Sequence, residues 1–80
     1  MTETEITIKD ILSRLHPGVD FETEKELVSG KILDSFDVVR LVGMLSDEFD
    51  IAIKAADLIP ENFESLDSMA ALVDRCIEES

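Results

Sequence analysis

Tryptophan and tyrosine are missing from this chain, and cysteine and histidine occur once each. A lone Cys76 cannot close an internal disulfide, and with His16 as the single imidazole there is no Cys or His pair at metal-ligand spacing. Folding must then rest on apolar packing in a reducing compartment, so a cytoplasmic protein without a metal site is expected. Positive charge is also scarce. Seven basic residues face nineteen acidic ones, a net charge of -12. That balance repels phosphate backbones and anionic lipid, which argues against nucleic-acid binding and points to partners with basic patches. Long apolar runs are absent too: nothing approaches the roughly 18 residues of a membrane span. The opening MTETEITIKD has neither the basic start nor the apolar block of a signal peptide.

What is present is 80 residues with 45% hydrophobic content, expected to form one domain over residues 1–80. A domain of this size buries only about 60% of its unfolded surface, so its apolar residues must be used efficiently. The core is expected to be Leu, Ile and Val with a few Phe wedges. No repeat or low-complexity tract divides the chain.

Ile8, Ile11, Leu12 and Leu15 fall at i, i+3, i+4 and i+7, the spacing of one helical face. Thr2 with Glu5 fits a capping box at its start, and His16, Pro17 and Gly18 end it. Residues 17–34 have no sustained period but drop apolar anchors at Val19, Phe21, Leu27, Ile32 and Leu33. They read as a long, tethered loop with room for a turn of helix near Thr23 to Val28. The strongest helix runs from Ser35 to about Phe49, with Val38, Val42, Leu45 and Phe49 on one stripe and Leu41 beside it. Asp34 and Asp37 suit its positive end, whereas Asp47, Glu48 and Asp50 crowd its negative end, a placement that favours something other than stability. Asp50 to Ile53 reads as an extended turn, followed by about one helical turn over Ala55 to Leu58 that Pro60 closes. A last helix starts at Ser65 or Asp67 and gathers Met69, Leu72, Val73, Cys76 and Ile77 on one face. The expected fold is therefore all-α: three main helices and one short helix packed as a small bundle, with a long loop between the first two.

Catalytic readings find little support. His16, at a helix end beside Pro17, favours the dipole there, and a Ser35/His16 dyad lacks a third member and a G-x-S-x-G elbow. Calcium loops fail on position: counting from Asp34 the sixth residue is Val39, and from Asp47 it is Ala52, where glycine is required. Cys76 falls at core spacing and reads as a buried structural thiol. No catalytic residue is expected.

Ser35 remains. Either Asp34 or Ser35 could cap the helix and only one is needed, so a hydroxyl is left over at its start. In this context LDSFDVVRLVGMLSDEFDI resembles the acyl carrier protein signature, in which an Asp-Ser-Leu or similar triplet opens the second helix, and the resemblance extends over nearly the whole chain. It implies that Ser35 is the attachment point of 4'-phosphopantetheine, delivered from coenzyme A by a phosphopantetheinyl transferase that uses magnesium, within a motif formed with Asp34, Phe36 and Asp37. It further implies a monomeric, non-catalytic carrier whose partners are enzymes that load or transfer acyl or aminoacyl groups. They would read Asp34, Asp37, Asp47 and Glu48 through basic side chains and Phe36, Leu41 and Met44 through apolar contact. Arg40 stands where carriers of fatty acid synthesis usually have an acid, and DLIPENFESLDSMAALV looks more like the corresponding region of stand-alone aminoacyl carriers, D-alanyl carriers among them, or of carriers of specialised acyl pathways. A small acidic adaptor without a prosthetic group is the alternative from another class.

Overall fold

Helix α1 spans Glu3–Leu15, α2 Ser35–Phe49 and α3 Leu66–Glu79, with two 3-10 turns, Ala55–Asp57 and Pro60–Phe63, between α2 and α3. The computed structural model describes residues 2–79. No strand occurs among them. No described helix is long and apolar enough to cross a membrane. The small all-helical bundle expected from periodicity is what forms.

Each helix starts where its side chains satisfy the first-turn amides. At α1, Thr2 Oγ1 accepts the Glu5 N–H at 3.2 Å and Glu5 Oε1 accepts the Thr2 N–H at 3.2 Å, the reciprocal box that the sequence suggested. At α3, Ser65 rather than Asp67 is the cap, its Oγ accepting the Ser68 N–H at 3.1 Å. Helix α2 ends on Asp50 in the left-handed region at φ 52°, where its N–H donates to Ser46 O. Asp is one of the few residues besides glycine that visits this region, which is why the helix can stop here without one.

Ile8, Ile11 and Leu12 of α1, Leu41 and Leu45 of α2, and Leu66, Met69, Leu72 and Val73 of α3 form the core. Helix α3 packs mainly against α1 and the second 3-10 turn, and less against α2. The radius of gyration is 11.4 Å, close to the ~11.6 Å of a compact chain this long. Three local expectations need correction. No helix forms near Thr23 to Val28, where the backbone makes turns instead. Pro60 opens a second 3-10 turn rather than only closing the first, its fixed φ suiting a first position. Ile77 lies off the buried face of α3, 45% exposed.

The long loop is tied down as its anchors implied. Phe21, Leu27 and Leu33 are fully buried, and Val19, Val28 and Ile32 pack partly against the core. Gly30 is needed here: its N–H reaches Glu26 O at 2.7 Å, and an added Cβ would sit 2.6 Å from that same oxygen. The loop therefore delivers the chain to Asp34 in a fixed position.

Candidate functional site at the start of the second helix

Asp34 takes the cap of α2. Its Oδ1 accepts the Asp37 N–H at 2.8 Å, Asp37 Oδ2 accepts the Asp34 N–H at 3.3 Å, and Asp34 O accepts the Val38 N–H at 3.0 Å. With those amides satisfied, Ser35 is the first helical residue and has no capping task. It is exposed, and its hydroxyl has no hydrogen-bond partner among the described residues. The amides of Ser35 and Phe36 are likewise unclaimed among the described residues, as the first turn of a helix requires. An anion attached to the Ser35 oxygen meets two free N–H groups and the positive end of the helix dipole. On this donor set the residues fit a phosphate ester.

Asp37 is engaged more deeply than the sequence suggested. His16, just past the end of α1, donates from Nε2 to Asp37 Oδ2 at 2.9 Å. That hydrogen bond is the main reason the Asp37 carboxyl sits below its ordinary value; burial opposes the shift, and the Asp34 amide and the His16 charge add to it. His16 thus pairs with Asp37 and fastens the end of α1 to the first turn of α2.

Beside Ser35 lies an apolar groove of about 260 Å³. Val28 of the loop forms one wall and Val38 and Val39 of α2 another, while Leu58, Ile59, Pro60 and Phe63 complete it. The loop wall is held by Glu64, a residue that sequence reasoning did not single out. Its Oε1 accepts the N–H groups of Val28 and Ser29, each at 2.8 Å, its Oε2 accepts the Ser29 hydroxyl, and its backbone oxygen accepts the Leu27 N–H at 2.9 Å. The Ser29 hydrogen bonds, side chain first and then backbone, hold the Glu64 carboxyl below its ordinary value.

The residues expected to face partners separate into distinct environments. Asp34, Phe36, Arg40, Asp47 and Glu48 are exposed, and Phe36 is the most exposed large apolar side chain described, at 71%. Leu41 is not on the surface. It is fully buried, because its position on α2 points at the core together with Leu45, so apolar contact with a docked partner is withdrawn for it. Met44 is part-buried and lines a groove with Ile11 and Arg14 of α1, with Asp47 and Glu48 at its rim. Val39, 66% exposed, is a surface residue that sequence reasoning did not single out. Cys76 is buried, and burial pushes its thiol up.

No curated protein and no solved structure matches the chain. A family model described as a phosphopantetheine attachment site matches residues 7–73. That span holds the end of α1, the tethered loop, the Asp34 cap with the free Ser35 hydroxyl and most of α3, and over it this chain belongs to the phosphopantetheine attachment-site family, carrier domains on which 4'-phosphopantetheine is covalently held.

Proposed function

We propose that Ser35 is the attachment point and that the chain carries an acyl group as a thioester, presenting it to partner enzymes in the cytoplasm without catalysing a reaction itself. The observation that carries this reading is the division of labour at the helix start: Asp34 makes the capping bond, and the neighbouring hydroxyl is exposed, with no hydrogen-bond partner among the described residues. In the modification, Ser35 Oγ forms a new bond to the β-phosphorus of coenzyme A as the bond to adenosine 3',5'-bisphosphate breaks, and the hydroxyl proton passes to a base of the transferase. When bound, the group supplies a thiol on a flexible arm for thioester formation. The chain's part is to hold the serine at a dipole end that favours the phosphodiester and to keep the surrounding turn rigid through Asp34, Asp37 and His16.

The groove beside Ser35 supports an apolar acyl cargo, since a group that is itself apolar gains by lying against it. An aminoacyl cargo, as in D-alanyl carriers, is the second reading, supported by the likeness of DLIPENFESLDSMAALV to such carriers. The enzymes that load and unload the arm are expected to bring basic surfaces, because the chain carries a charge of -12 and complementary charge speeds encounter.

The test is intact mass after incubating the apo chain with coenzyme A, magnesium and a phosphopantetheinyl transferase of broad specificity. One phosphopantetheine is gained by wild type and none by Ser35→Ala. No gain on folded wild-type protein with several transferases favours the adaptor reading instead.

A further inference from the structure

Two consecutive residues at the start of α2 are able to cap it, and the choice between them decides what becomes of the Ser35 hydroxyl. Asp and Ser rank together as helix caps, so residue type alone leaves two starting frames close in stability. In the observed frame Asp34 is the cap, extended at φ -94° and ψ -179°, and its Oδ1 accepts the Asp37 N–H at 2.8 Å. In the other frame the helix starts one residue later. Ser35 turns extended and its Oγ accepts the Val38 N–H, so the backbone takes up the hydroxyl that a modifying enzyme needs.

The residue three places after each cap separates the frames. After Asp34 it is Asp37, whose Oδ2 accepts the Asp34 N–H at 3.3 Å and completes a reciprocal box. After Ser35 it is Val38, whose side chain has no acceptor to return. The return bond favours the Asp34 frame, but it is longer than the roughly 2.9 to 3.0 Å typical of N–H···O bonds and selects weakly on its own.

His16 supplies what is missing. The oxygen that receives the Asp34 amide, Asp37 Oδ2, is the one that accepts from His16 Nε2 at 2.9 Å. The imidazole is itself held in place: His16 is the C-cap of α1, its N–H donates to Leu12 O at 2.8 Å, and Pro17 follows. A group anchored on one helix thereby fixes the rotamer of a carboxylate on the next, with the shared oxygen already aimed at the Asp34 amide. Without it, Asp37 distributes among the three staggered positions of its first side-chain torsion, and only a share of them offers that oxygen.

We propose that His16 is a positioning residue for the modification of Ser35: by fixing the Asp37 carboxylate it selects the start of α2 at Asp34 and keeps the Ser35 hydroxyl out of the cap. The consequence for modification rests on the carrier reading; the selection of the frame does not. His16 acts through Asp37 and touches neither the serine nor the incoming coenzyme.

The experiment has two readouts on wild type, His16→Ala, His16→Gln, Asp37→Ala and the double variant His16→Ala/Asp37→Ala, with folding checked by far-UV circular dichroism. The first is the Ser35 13Cα and 13Cβ chemical shifts of the apo chain, which distinguish a helical residue from an extended cap and need no modification to occur. The second is kcat/KM for phosphopantetheine transfer. His16→Ala is expected to move the ratio of the frames about threefold toward the Ser35 cap, the scale of releasing one torsion among three wells, and to lower kcat/KM by about two- to threefold as the competent fraction falls. His16→Gln, which keeps a donor, restores both. Asp37→Ala removes the box and brings the frames close to even, and His16→Ala adds nothing further in that background. Ser35 shifts that stay helical in His16→Ala and Asp37→Ala overturn the proposal. Losses of kcat/KM that add in the double variant overturn it too, because His16 then acts independently of Asp37. Failure of several transferases to modify wild type, with the Ser35 shifts responding as expected, overturns the carrier reading and leaves the selection of the frame standing.

Discussion

The hydrogen bond between His16 and Asp37 joins two elements that meet only through the chain's tertiary structure, 21 residues apart, and it sits on the turn that displays Ser35. Its strength can be bounded. The side chains are 31% and 16% exposed, so the pair is partly screened by solvent. A charge-assisted hydrogen bond in such a setting contributes about 1 kcal/mol net, above a fully exposed ion pair and below a buried one. The expected coupling energy from a double-mutant cycle of His16→Ala and Asp37→Asn is therefore about 0.5 to 1.5 kcal/mol. For a domain of this length that corresponds to a change of roughly 4 to 8 °C in melting temperature per kcal/mol.

The assay is thermal and urea unfolding followed by far-UV circular dichroism, because the chain has no Trp or Tyr to report by fluorescence. The pH dependence supplies an independent reading of the same bond. Asp37's folded pKa is depressed, chiefly by His16, so the stability it contributes is fully present above its ordinary value of 3.8 and is lost as pH falls through the lower folded value. Removing His16 takes away the largest cause, and the acid limb of the His16→Ala stability curve becomes shallower below about pH 4. A coupling energy below about 0.3 kcal/mol, within the ordinary error of additivity, together with an unchanged acid limb, refutes the view that this contact fastens α1 to the site.

Glu64→Gln tests the loop clamp. The Glu64 contribution is present above the ordinary carboxylate value of 4.5 and lost as pH falls through its depressed folded value, so the variant is expected to flatten the acid limb and to speed hydrogen exchange at the Val28 and Ser29 amides; unchanged exchange there rules the clamp out. Leu41→Ala distinguishes core from surface: a fully buried leucine loses about 2 to 5 kcal/mol of stability on truncation, whereas a docking residue would raise KM for the transferase and leave the melting temperature nearly unchanged.

Most of the architecture was legible because three of its elements are written in local periodicity. Ile8, Ile11 and Leu12 repeat at helical spacing and are buried, and the Thr2 and Glu5 box lies within four residues, so neither needs knowledge of the rest of the fold. The spare hydroxyl at Ser35 was visible for the same reason: two capping residues in a row where a helix needs one. Glu64 was not visible. Its partners Val28 and Ser29 are 35 and more residues away, and an acid between Phe63 and Ser65 carries no local mark of that reach. The split of α2 into inner and outer sides fell between these cases. Its stripe was legible with Leu41 beside it; the outward role of Leu41 came from the resemblance alone, and a helix as apolar as this one offers more than one plausible face until its neighbours are placed.

That same ambiguity explains why the charge of the whole chain is a poor guide to this site. A net charge of -12 describes the field that a partner meets at a distance, beyond the Debye length of about 8 to 10 Å only weakly. At contact, what counts is which carboxylates still have a free oxygen to offer. Asp37 has given one oxygen to His16 and to the Asp34 amide, and Asp34 has given one to the Asp37 amide, so both acids beside Ser35 spend part of their capacity on shaping the turn. Asp47 and Glu48, exposed near the far end of α2, have no side-chain partner among the described residues. The acids that keep both oxygens free among the described residues therefore lie toward the C-terminal end of α2, and the exposed apolar side chains of Phe36 and Val39 lie near the serine.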